Sequence, residues 1–498
     1  MSIIRESDEI DVLLLGEGTY PYIQGGVSSW IHQLINGMPD LKFGIIFLGS
    51  MESEYGEMRY KLPDNLVHIE VHYLFTNDEE PQANRPKDRD DFGSIEELYR
   101  WFKTGDGDMP DAMKDIKFYT EKITHHHFLH SEQSWHFITD RYRENCPDLP
   151  FVDYFWTVKN IHKPVWVLAN IVKDMPKCKI LHSPSTGYAG FLASLASYST
   201  GTPFVLTEHG IYTRERKIDM LTADWVSFQK PTLLKKTEEY NYIKKMWVNF
   251  FEQIGLFSYK RADYILSLFA GARDIQVRFG ADEKKTRVIP NGVDVDGLEQ
   301  AYLAREEGVP KVITLIGRVV SIKDIKTFIR AMRIVANEIE DVEAWVVGPL
   351  DEDEMYADEC RYMVETLQLE KNFYFKGFQN IKDILPKTGL LTLTSVSEGM
   401  PLTILEGYAA GVPCVATDVG SCRDLIYGSL NDEDIAIGMA GEITTIANPS
   451  ALAESYIKFL TNEELWKQAQ EAALKRVRTF YRQDTFLETY HSIYEEMM

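Results

Sequence analysis

The sequence predicts an α/β protein made of two domains whose strand-end loops face a shared cleft. The chain has 498 residues, which is too many for one hydrophobic core. Short apolar runs alternate with helical patterns, as in parallel sheets covered by helices. The alternation stops in a linker near 295–310 and restarts with an apolar run at 311–316. These observations predict two sheets, each with its own helices.

The strands are expected wherever four to seven apolar residues precede a glycine-rich or polar turn. In the first domain, 1–300, they are expected at 9–15, 43–48, 66–71, 179–182, 203–207, 262–268 and 286–289. In the second domain, 301–483, they are expected at 311–316, 344–348, 373–376, 390–394 and 414–417. The main helices are expected from Val27 or Ser28, and over 225–261, 449–461 and 463–498.

An insertion at about 75–175 interrupts the first domain. Residues 75–111 are polar, acidic and proline-containing, which predicts a long surface loop. Residues 94–173 have an aromatic-rich helical pattern, including the run of His125, His126 and His127. Three consecutive histidines cannot share one helix face, so a zinc site is not expected there. The role of this insertion stays open.

The acidic composition excludes several classes of partner. The formal net charge of -23 repels nucleic acid and anionic lipid. The five cysteines are scattered, with neither a disulfide framework nor C-x-x-C spacing. The first residues are acidic where a secretory signal would be basic, and no apolar window is long enough to span a bilayer. A cytoplasmic protein is therefore expected.

A glycine-rich loop follows the first strand and contains Gly16, Gly18, Gly25 and Gly26. A strand, a glycine-rich turn and a helix form the setting in which backbone N–H groups approach a phosphate. The loop does not match G-x-G-x-x-G, because position 21 is proline. A phosphate contact and a plain tight turn both fit this stretch.

Charged residues follow several strands in the second half of the chain. Arg318 and Lys323 come just after the 311–316 strand, before a helix. Cations at a helix N-terminus oppose its dipole, so they favour an anionic ligand over a solvated pair. The acidic run 351–354 is interpreted as a solvated loop rather than a D-x-D metal site. In the first half, His209 ends a strand and points to a ligand crevice, or it caps a loop.

The stretch 395–411 has the most specific pattern. It contains Glu398 and Glu406, and Pro401 fits the first turn of a helix that starts near position 400 or 401. The N–H groups of Met400, Leu402 and Thr403 would form an anion site. Carboxylates on either side could accept hydrogen bonds from the hydroxyls of a sugar nucleotide. The alternative is two surface charges near an ordinary helix start.

Together these motifs resemble the retaining GT-B glycosyltransferases of family 4. The resemblance is carried by GGV at 25–27, EHG at 208–210, PNGVD at 290–294, Gly317 with Arg318 and Lys323, the E-x7-E pair and AAGVPCVATDVG. It implies two Rossmann-like domains facing a central cleft, with the last helix, about 484–498, crossing back onto the first. The first domain would bind the acceptor and the second the nucleotide sugar.

The resemblance also implies roles for single residues. The implied catalytic residues are His209, Arg318, Lys323 and Glu398. Arg318 and Lys323 would contact the diphosphate, Glu398 the sugar hydroxyls and Glu406 the ribose hydroxyls. His209 would lie near the anomeric carbon. The further implied donor-binding residues are Gly25, Gly26, Phe378, Gln379, Gly399, Met400, Pro401, Leu402 and Thr403.

The N-terminal half resembles a narrower group, the PelF family of cytoplasmic glycosyltransferases of Pel exopolysaccharide synthesis. LLLGEGTYPYIQGGVSSW, LTEHGIYTRER and the long insertion carry this resemblance. It implies transfer of a hexose or N-acetylhexosamine from a UDP-sugar to a growing exopolysaccharide, without a metal ion or other cofactor. It also implies recruitment to inner-membrane proteins of a Pel-type synthase complex. The alternatives are a sugar-nucleotide-binding regulatory subunit without turnover, and a family 4 transferase with a lipid or small acceptor.

Overall fold

A computed structural model of the chain describes residues 2–75, 89–105, 107–147, 149–222 and 237–498, without the side chains of 218–222 and 237–241. The chain forms two compact units. Unit 1 contains residues 1–288 and 491–498, and unit 2 contains residues 289–490. Each unit has a sheet and a hydrophobic core of its own.

The sheet of unit 1 has eight strands in the order β1-β4-β3-β2-β5-β6-β7-β8. The strands are β1 Ser2–Arg5, β2 Val12–Glu17, β3 Phe43–Gly49, β4 Leu66–Tyr73, β5 Ile180–Ser183, β6 Phe204–Glu208, β7 Tyr264–Ser267 and β8 Thr286–Val288. All neighbouring strands are parallel except β1, which pairs antiparallel with β4. The central strands β2, β3 and β5 are buried along almost their whole length, as their apolar sequences require.

Nine helices are described in unit 1 apart from the last helix of the chain. They are α1 Gly26–Gly37, α2 Gly93–Thr104, α3 His125–His130, α4 Glu132–Asn145, α5 Phe151–Asp174, α6 Tyr188–Thr200, α7 Tyr212–Thr222, α8 Thr237–Arg261 and α9 Ala270–Arg278. Helices α2 to α5 lie between β4 and β5 in the chain and form the insertion. Their aromatic residues join the core of unit 1.

The sheet of unit 2 has six parallel strands in the order β11-β10-β9-β12-β13-β14. They are β9 Val312–Ile316, β10 Glu343–Val347, β11 Phe373–Gly377, β12 Leu390–Leu393, β13 Cys414–Thr417 and β14 Gly441–Thr444. The helices are α10 Val295–Leu303, α11 Ile325–Glu338, α12 Glu354–Thr366, α13 Ile381–Ile384, α14 Leu402–Ala409, α15 Cys422–Tyr427, α16 Asp432–Ala436, α17 Pro449–Thr461, α18 Glu463–Phe480 and α19 Gln483–Met497.

Helix α19 belongs to both units, because its last residues are grouped with unit 1. There the Tyr494 hydroxyl is hydrogen-bonded to His182 Nδ1 at 2.6 Å, and His491 Nε2 pairs with Asp40 at 2.7 Å. Within the described residues, no helix is long and apolar enough to cross a membrane.

Each predicted strand is present, and the described sheets also contain β1 and β14, which the sequence analysis missed. Both are edge strands. An edge strand has one neighbour and is less covered, so it does not need the apolar run that marks a buried strand. The sequence of β1 is SIIR, and its residues are mostly exposed.

Three other expectations were wrong in part. The region 295–310 is not a linker throughout, because α10 occupies 295–303 and buries Val295, Leu298 and Ala301. The chain instead passes from unit 1 to unit 2 after Val288, earlier than the boundary expected at 300. The loop expected over 75–111 overlapped the helical pattern expected from residue 94, and in the overlap the helical prediction is confirmed: α2 occupies 93–104 and packs its buried face against the core. Residues 76–88, and the 225–236 part of the helix expected over 225–261, lie outside the described residues.

Candidate active site

In unit 2, two functional loops follow neighbouring central strands. The chain runs outward from β9 through β10 to β11, and then outward on the other side from β12 through β13 to β14. Open α/β sheets bind ligands where the strand order reverses in this way, outside the carboxyl ends of the strands. The loop after β9 carries Arg318 and Lys323, and the loop after β12 carries Glu398.

Backbone hydrogen bonds join these two loops. The Val396 N–H donates to the Ile322 carbonyl at 2.9 Å, and Thr394 Oγ1 donates to the Lys323 carbonyl at 2.7 Å. The two loops therefore hold each other in place before any ligand contact is considered.

The side chains of Lys323 and Glu398 meet within this pair of loops. Lys323 Nζ lies 2.6 Å from Glu398 Oε1, and Ser395 Oγ donates to the same oxygen at 2.6 Å. The side chains of Lys323 and Glu398 are only 21% and 13% exposed, so solvent screens this ion pair weakly. A fixed cation and a fixed carboxylate thus lie side by side where the strand order reverses.

Gly420 sets the position of the Glu398 loop. It has a φ of +54°, and a Cβ there would lie 2.3 Å from the carbonyl oxygens of Glu398 and Gly399. The next N–H, of Ser421, donates to the Gly399 carbonyl at 2.9 Å. The close approach needs glycine, which explains why the GVPCVATDVG segment accompanies the two-carboxylate motif.

Helix α14 begins at Leu402, with Pro401 as its N-cap residue. The expected start near 400 or 401 is therefore one or two residues early. The Ile404 N–H donates to the Pro401 carbonyl at 3.2 Å, so the N–H groups of Leu402 and Thr403 precede the helical ladder. This helix start follows directly after Gly399 and Met400, and can receive an anion.

Glu406 lies on the second turn of α14, as expected from the sequence. Burial raises the pKa of its carboxyl group to about 7, and no charge contributes to this shift. A carboxylate that is costly to ionise gains from hydroxyl donors, because hydrogen bonds to the charged form offset desolvation.

We expect Glu406→Gln to stabilise the protein at alkaline pH. The raised pKa means that the stability of the native state falls as pH rises from about 4.5 through 7. Glutamine mimics the protonated carboxyl, so the free energy of unfolding should rise by up to about 3 kcal/mol at pH 8 and stay unchanged at pH 4.5. Thermal unfolding at both pH values measures this difference. The exposed Glu471→Gln on α18 is the control, and an equal gain at both pH values would contradict the assignment.

The structure pairs Arg318 with an acidic residue that follows β10. Arg318 Nη1 donates to Glu352 Oε1, and the two side chains are 43% and 47% exposed. The run 351–354 is largely exposed, as expected, and two of its members also have specific partners. Asp353 caps α12 by accepting from the Tyr356 N–H at 3.1 Å, while Glu354 lies in the first turn of that helix.

Phe378 and Gln379 follow β11, at the edge of the sheet and two strands away from β9. The Phe378 side chain is 76% exposed, and Gln379 Nε2 donates to the Lys376 carbonyl at 2.9 Å. Their predicted contact with the base remains a prediction.

Asn291, in the PNGVD segment, is a site residue to which the sequence analysis assigned no role. Its N–H donates to Met400 Sδ at 3.2 Å and its Nδ2 to the Met400 carbonyl at 3.4 Å. Asn291 is buried, and its Oδ1 has no hydrogen-bond partner among the described residues. It holds the residue that leads into the α14 helix start. The PNGVD motif was the sequence signal that could have identified Asn291 as a site residue.

In unit 1, Gly25 and Gly26 open α1, with Gly25 as the N-cap residue. A Cβ at either position would meet no protein atom within 4 Å. The fold itself therefore does not require glycine there, and the space beside both residues remains available to a ligand.

His209 follows β6, as predicted, and its ring packs against Trp30 with centroids 4.6 Å apart. Burial lowers the pKa of its imidazole to about 3, so the ring is neutral at physiological pH. Its Nε2 is buried and has no hydrogen-bond partner among the described residues. This nitrogen can form a hydrogen bond with a ligand, but the neutral ring does not supply a positive charge.

The preceding residue, Glu208, is buried and holds the end of β6 in place. Its carboxylate accepts hydrogen bonds from Tyr259 at 2.6 Å, and from Gln276 and Thr186 at 3.0 Å. Burial raises the pKa of this carboxyl group, and the three hydrogen bonds partly offset that effect. These contacts fix the position from which His209 projects.

The histidine run lies in α3, where His127 has hydrogen-bond partners in the same insertion. His127 Nδ1 is hydrogen-bonded to Thr124 Oγ1 at 2.7 Å, and His127 Nε2 accepts from Arg89 Nε at 3.1 Å. The part of the chain that the structure describes contains no group of three or more histidine, cysteine, aspartate or glutamate residues arranged to hold a metal ion.

Comparisons with known proteins identify a family that matches each half of the chain. Residues 304–476 match the family described as glycosyl transferases group 1, and residues 10–284 match the family described as domain of unknown function (DUF3492). The chain is 26% identical over 204 residues to N-acetyl-alpha-D-glucosaminyl L-malate synthase of Bacillus anthracis, which covers 40% of this chain and 50% of the relative.

Two further similarities involve an enzyme and a solved structure. Over 294 residues the chain is 26% identical to the UDP-Gal:alpha-D-GlcNAc-diphosphoundecaprenol alpha-1,3-galactosyltransferase of Escherichia coli, covering 54% of this chain and 67% of that protein. The chain therefore spans half to two thirds of the length of these curated relatives. Its fold is similar to that of Anabaena HepE in complex with UDP. The TM-score is 0.60 at 14% sequence identity, and the match covers 98% of this chain and 100% of the HepE chain. The chain therefore belongs to the DUF3492 family, whose match covers more than half of it. Its residues 304–476 match the glycosyl transferases group 1 family, and its fold is similar to that of GT-B glycosyltransferases.

Proposed function

We propose that this protein transfers a hexose or N-acetylhexosamine from a UDP-sugar to a growing exopolysaccharide, with retention of configuration and without a metal ion. The observation that carries this proposal is the Lys323–Glu398 pair, held between the β9 and β12 loops and followed by the N-terminus of α14. It combines a cation for the leaving group with a carboxylate for the sugar hydroxyls.

The leaving group is the first chemical requirement. Breaking the bond between the sugar and the phosphate builds negative charge on the diphosphate. Lys323, Arg318 and the free N–H groups of α14 offer positive charge to it, which is the role that metal ions have elsewhere. In a protein with a net charge of -23, this local concentration of donors favours an anionic substrate.

The retaining stereochemistry is proposed through attack on the same face of the sugar from which the diphosphate leaves. A double displacement would need a free carboxylate as nucleophile at the anomeric carbon. Glu398 Oε1 accepts hydrogen bonds from Lys323 and Ser395, which lowers the nucleophilicity of this carboxylate. It suits a second role better, accepting hydrogen bonds from the hydroxyls of the donor sugar.

The choice of UDP rests on the similar proteins. HepE was solved with UDP, and the printed name of the Escherichia coli relative gives UDP-Gal as its donor. Glu406 would accept the ribose hydroxyls. In unit 1, the resemblance assigns the open space beside Gly25 and Gly26 to the phosphate or sugar, and the unpartnered nitrogen of His209 to the neighbourhood of the anomeric carbon.

The acceptor is proposed to be a Pel-like exopolysaccharide, because the N-terminal motifs resemble the PelF family. The protein would then act in the cytoplasm, recruited by inner-membrane proteins of a Pel-type synthase complex. A lipid-linked acceptor is the second candidate, since the Escherichia coli relative is named for a sugar on diphosphoundecaprenol. Transfer assays with a soluble oligosaccharide and with a lipid-linked sugar separate the two.

The first test is calorimetry of the purified protein with UDP, ADP and GDP. We expect selective binding of UDP, weakened about tenfold or more by Arg318→Ala, because this variant loses a charge-assisted hydrogen bond to phosphate. Arg361→Ala, which removes an exposed arginine of α12 paired with Asp358, is the matched control. UDP binding without any hydrolysis or transfer of a UDP-sugar would favour the regulatory subunit instead. No nucleotide binding would overturn the proposal.

A second test concerns the metal ion. Transfer activity should survive EDTA, because Lys323, Arg318 and the α14 N-terminus supply the charge that a divalent cation would supply. The assay compares initial rates with and without the chelator, and with Mg²⁺ or Mn²⁺ restored. Loss of activity that either cation restores would contradict metal independence.

A further inference from the structure

The two cations assigned to the diphosphate have different carboxylate partners. Lys323 pairs with Glu398, which is assigned to the same donor site. Arg318 pairs with Glu352, which lies in the loop between β10 and α12. A diphosphate that binds Arg318 must share this guanidinium with Glu352 or displace that carboxylate.

The surroundings of the two pairs show which one can be displaced. Glu398 is mostly buried, and Ser395 holds the same oxygen that contacts Lys323. Glu352 is about half exposed, and Arg318 is its one hydrogen-bond partner among the described residues. An exposed pair with a single contact contributes little free energy, so its carboxylate can leave at low cost.

The neighbours of Glu352 are not interchangeable with it. Asp353 caps α12 through the Tyr356 N–H, and Glu354 lies in the first helical turn, where the helix dipole favours an acidic residue. Asp351 is exposed and lies one residue before Glu352 in the same acidic run. Glu352 is therefore the member of the run that can exchange its partner without unfolding a helix end.

We propose that Glu352 is an internal counter-ion of Arg318 that competes with the diphosphate of the nucleotide. This inference rests on the proposed function, since it assigns the same site. Glu352 lowers the affinity for every ligand that uses Arg318, and a ligand must bring enough negative charge to replace it. After transfer, Glu352 returns to Arg318 and speeds the release of the nucleoside diphosphate product.

The test measures UDP affinity by calorimetry and UDP dissociation by stopped-flow displacement in the full-length protein. Glu352→Gln should bind UDP about two- to fivefold more tightly, the size expected for loss of an exposed ion pair. The tightening should come mainly from slower dissociation. Asp351→Asn removes the same charge from the same run without contact to Arg318, and should leave the affinity unchanged. In an Arg318→Ala background, measured at higher UDP concentrations, Glu352→Gln should have no effect.

The outcomes separate this inference from the proposed function. If the wild-type protein binds UDP and Glu352→Gln binds it equally well, the counter-ion role is overturned and the donor site stands. Equal tightening in Asp351→Asn, or tightening that persists without Arg318, would show a general charge effect and would also overturn it. If the wild-type protein does not bind UDP, both proposals fail together.

Discussion

Replacing Lys323 by methionine should lower the kcat for transfer about 10²- to 10³-fold. Methionine keeps an unbranched chain of similar length but removes the ammonium group that stabilises the leaving diphosphate. Loss of one preorganised donor at a developing charge has an effect of this size in other enzymes. The measurement is the steady-state rate of transfer from the UDP-sugar that calorimetry and screening identify.

Two control variants make this prediction specific. Lys311→Met removes a lysine that pairs with Asp341 at 2.6 Å beyond the amino end of β9, and should leave kcat unchanged. Lys323→Met also leaves the mostly buried Glu398 without its cation, so the double variant Lys323→Met/Glu398→Gln is compared with Glu398→Gln alone, which by itself loses the carboxylate contact to the sugar. A kcat for Lys323→Met within about threefold of the wild-type value would contradict the leaving-group role.

Replacing Arg476 by methionine should destabilise unit 2 by about 3–5 kcal/mol. Arg476 and Asp434 are fully buried, and Arg476 Nε donates to Asp434 Oδ1 at 2.7 Å. The guanidinium also donates to the backbone carbonyls of Leu425, Ile426, Asp434 and Gly438. Removing one partner of a buried pair leaves an uncompensated charge, which is the costly case. The fall in the melting temperature of unit 2 should be at least about 6 °C.

Arg478→Met provides the comparison on the same helix. Arg478 is 43% exposed and lies 3.8 Å from Glu299, so its loss should change the free energy of unfolding by less than about 0.5 kcal/mol. Adding Asp434→Asn to Arg476→Met should recover part of the stability, because the stranded carboxylate becomes neutral. Equal melting temperatures for the wild type and Arg476→Met would contradict the structural role of this pair.

The positions of the candidate site residues at the ends of strands were predictable from the sequence, but their contacts were not. The alternation of strands and turns placed Arg318, Lys323 and Glu398 after strands, because each apolar run and its following loop are local patterns. The pattern could not show that Arg318 faces Glu352, since the interaction joins residues 34 positions apart. Nor could it show that Asn291 holds Met400, which lies 109 positions away.

The sequence analysis missed one helix and two strands for the same physical reason. Helix α10, VDGLEQAYL, was assigned to a linker because it lies between the two series of strands. A nine-residue helix is marginal on its own, and burial of Val295, Leu298 and Ala301 stabilises it. The edge strands β1 and β14 lack buried apolar runs, because each has a single neighbour in its sheet. In all three cases tertiary contacts, rather than local preference, hold the segment in its conformation.

The sequence by itself determined the two series of parallel strands, the glycine-rich and charged loops that follow them, and the helix that carries Glu406. These features depend on residues close together in the chain, whose spacing limits the local backbone. Only the tertiary structure decided which carboxylate pairs with which cation, how Gly420 holds the Glu398 loop, and how far the pKa of Glu406 rises. Those properties depend on burial and on partners brought together by folding, such as Lys323 and Glu398, which are 75 positions apart in the chain.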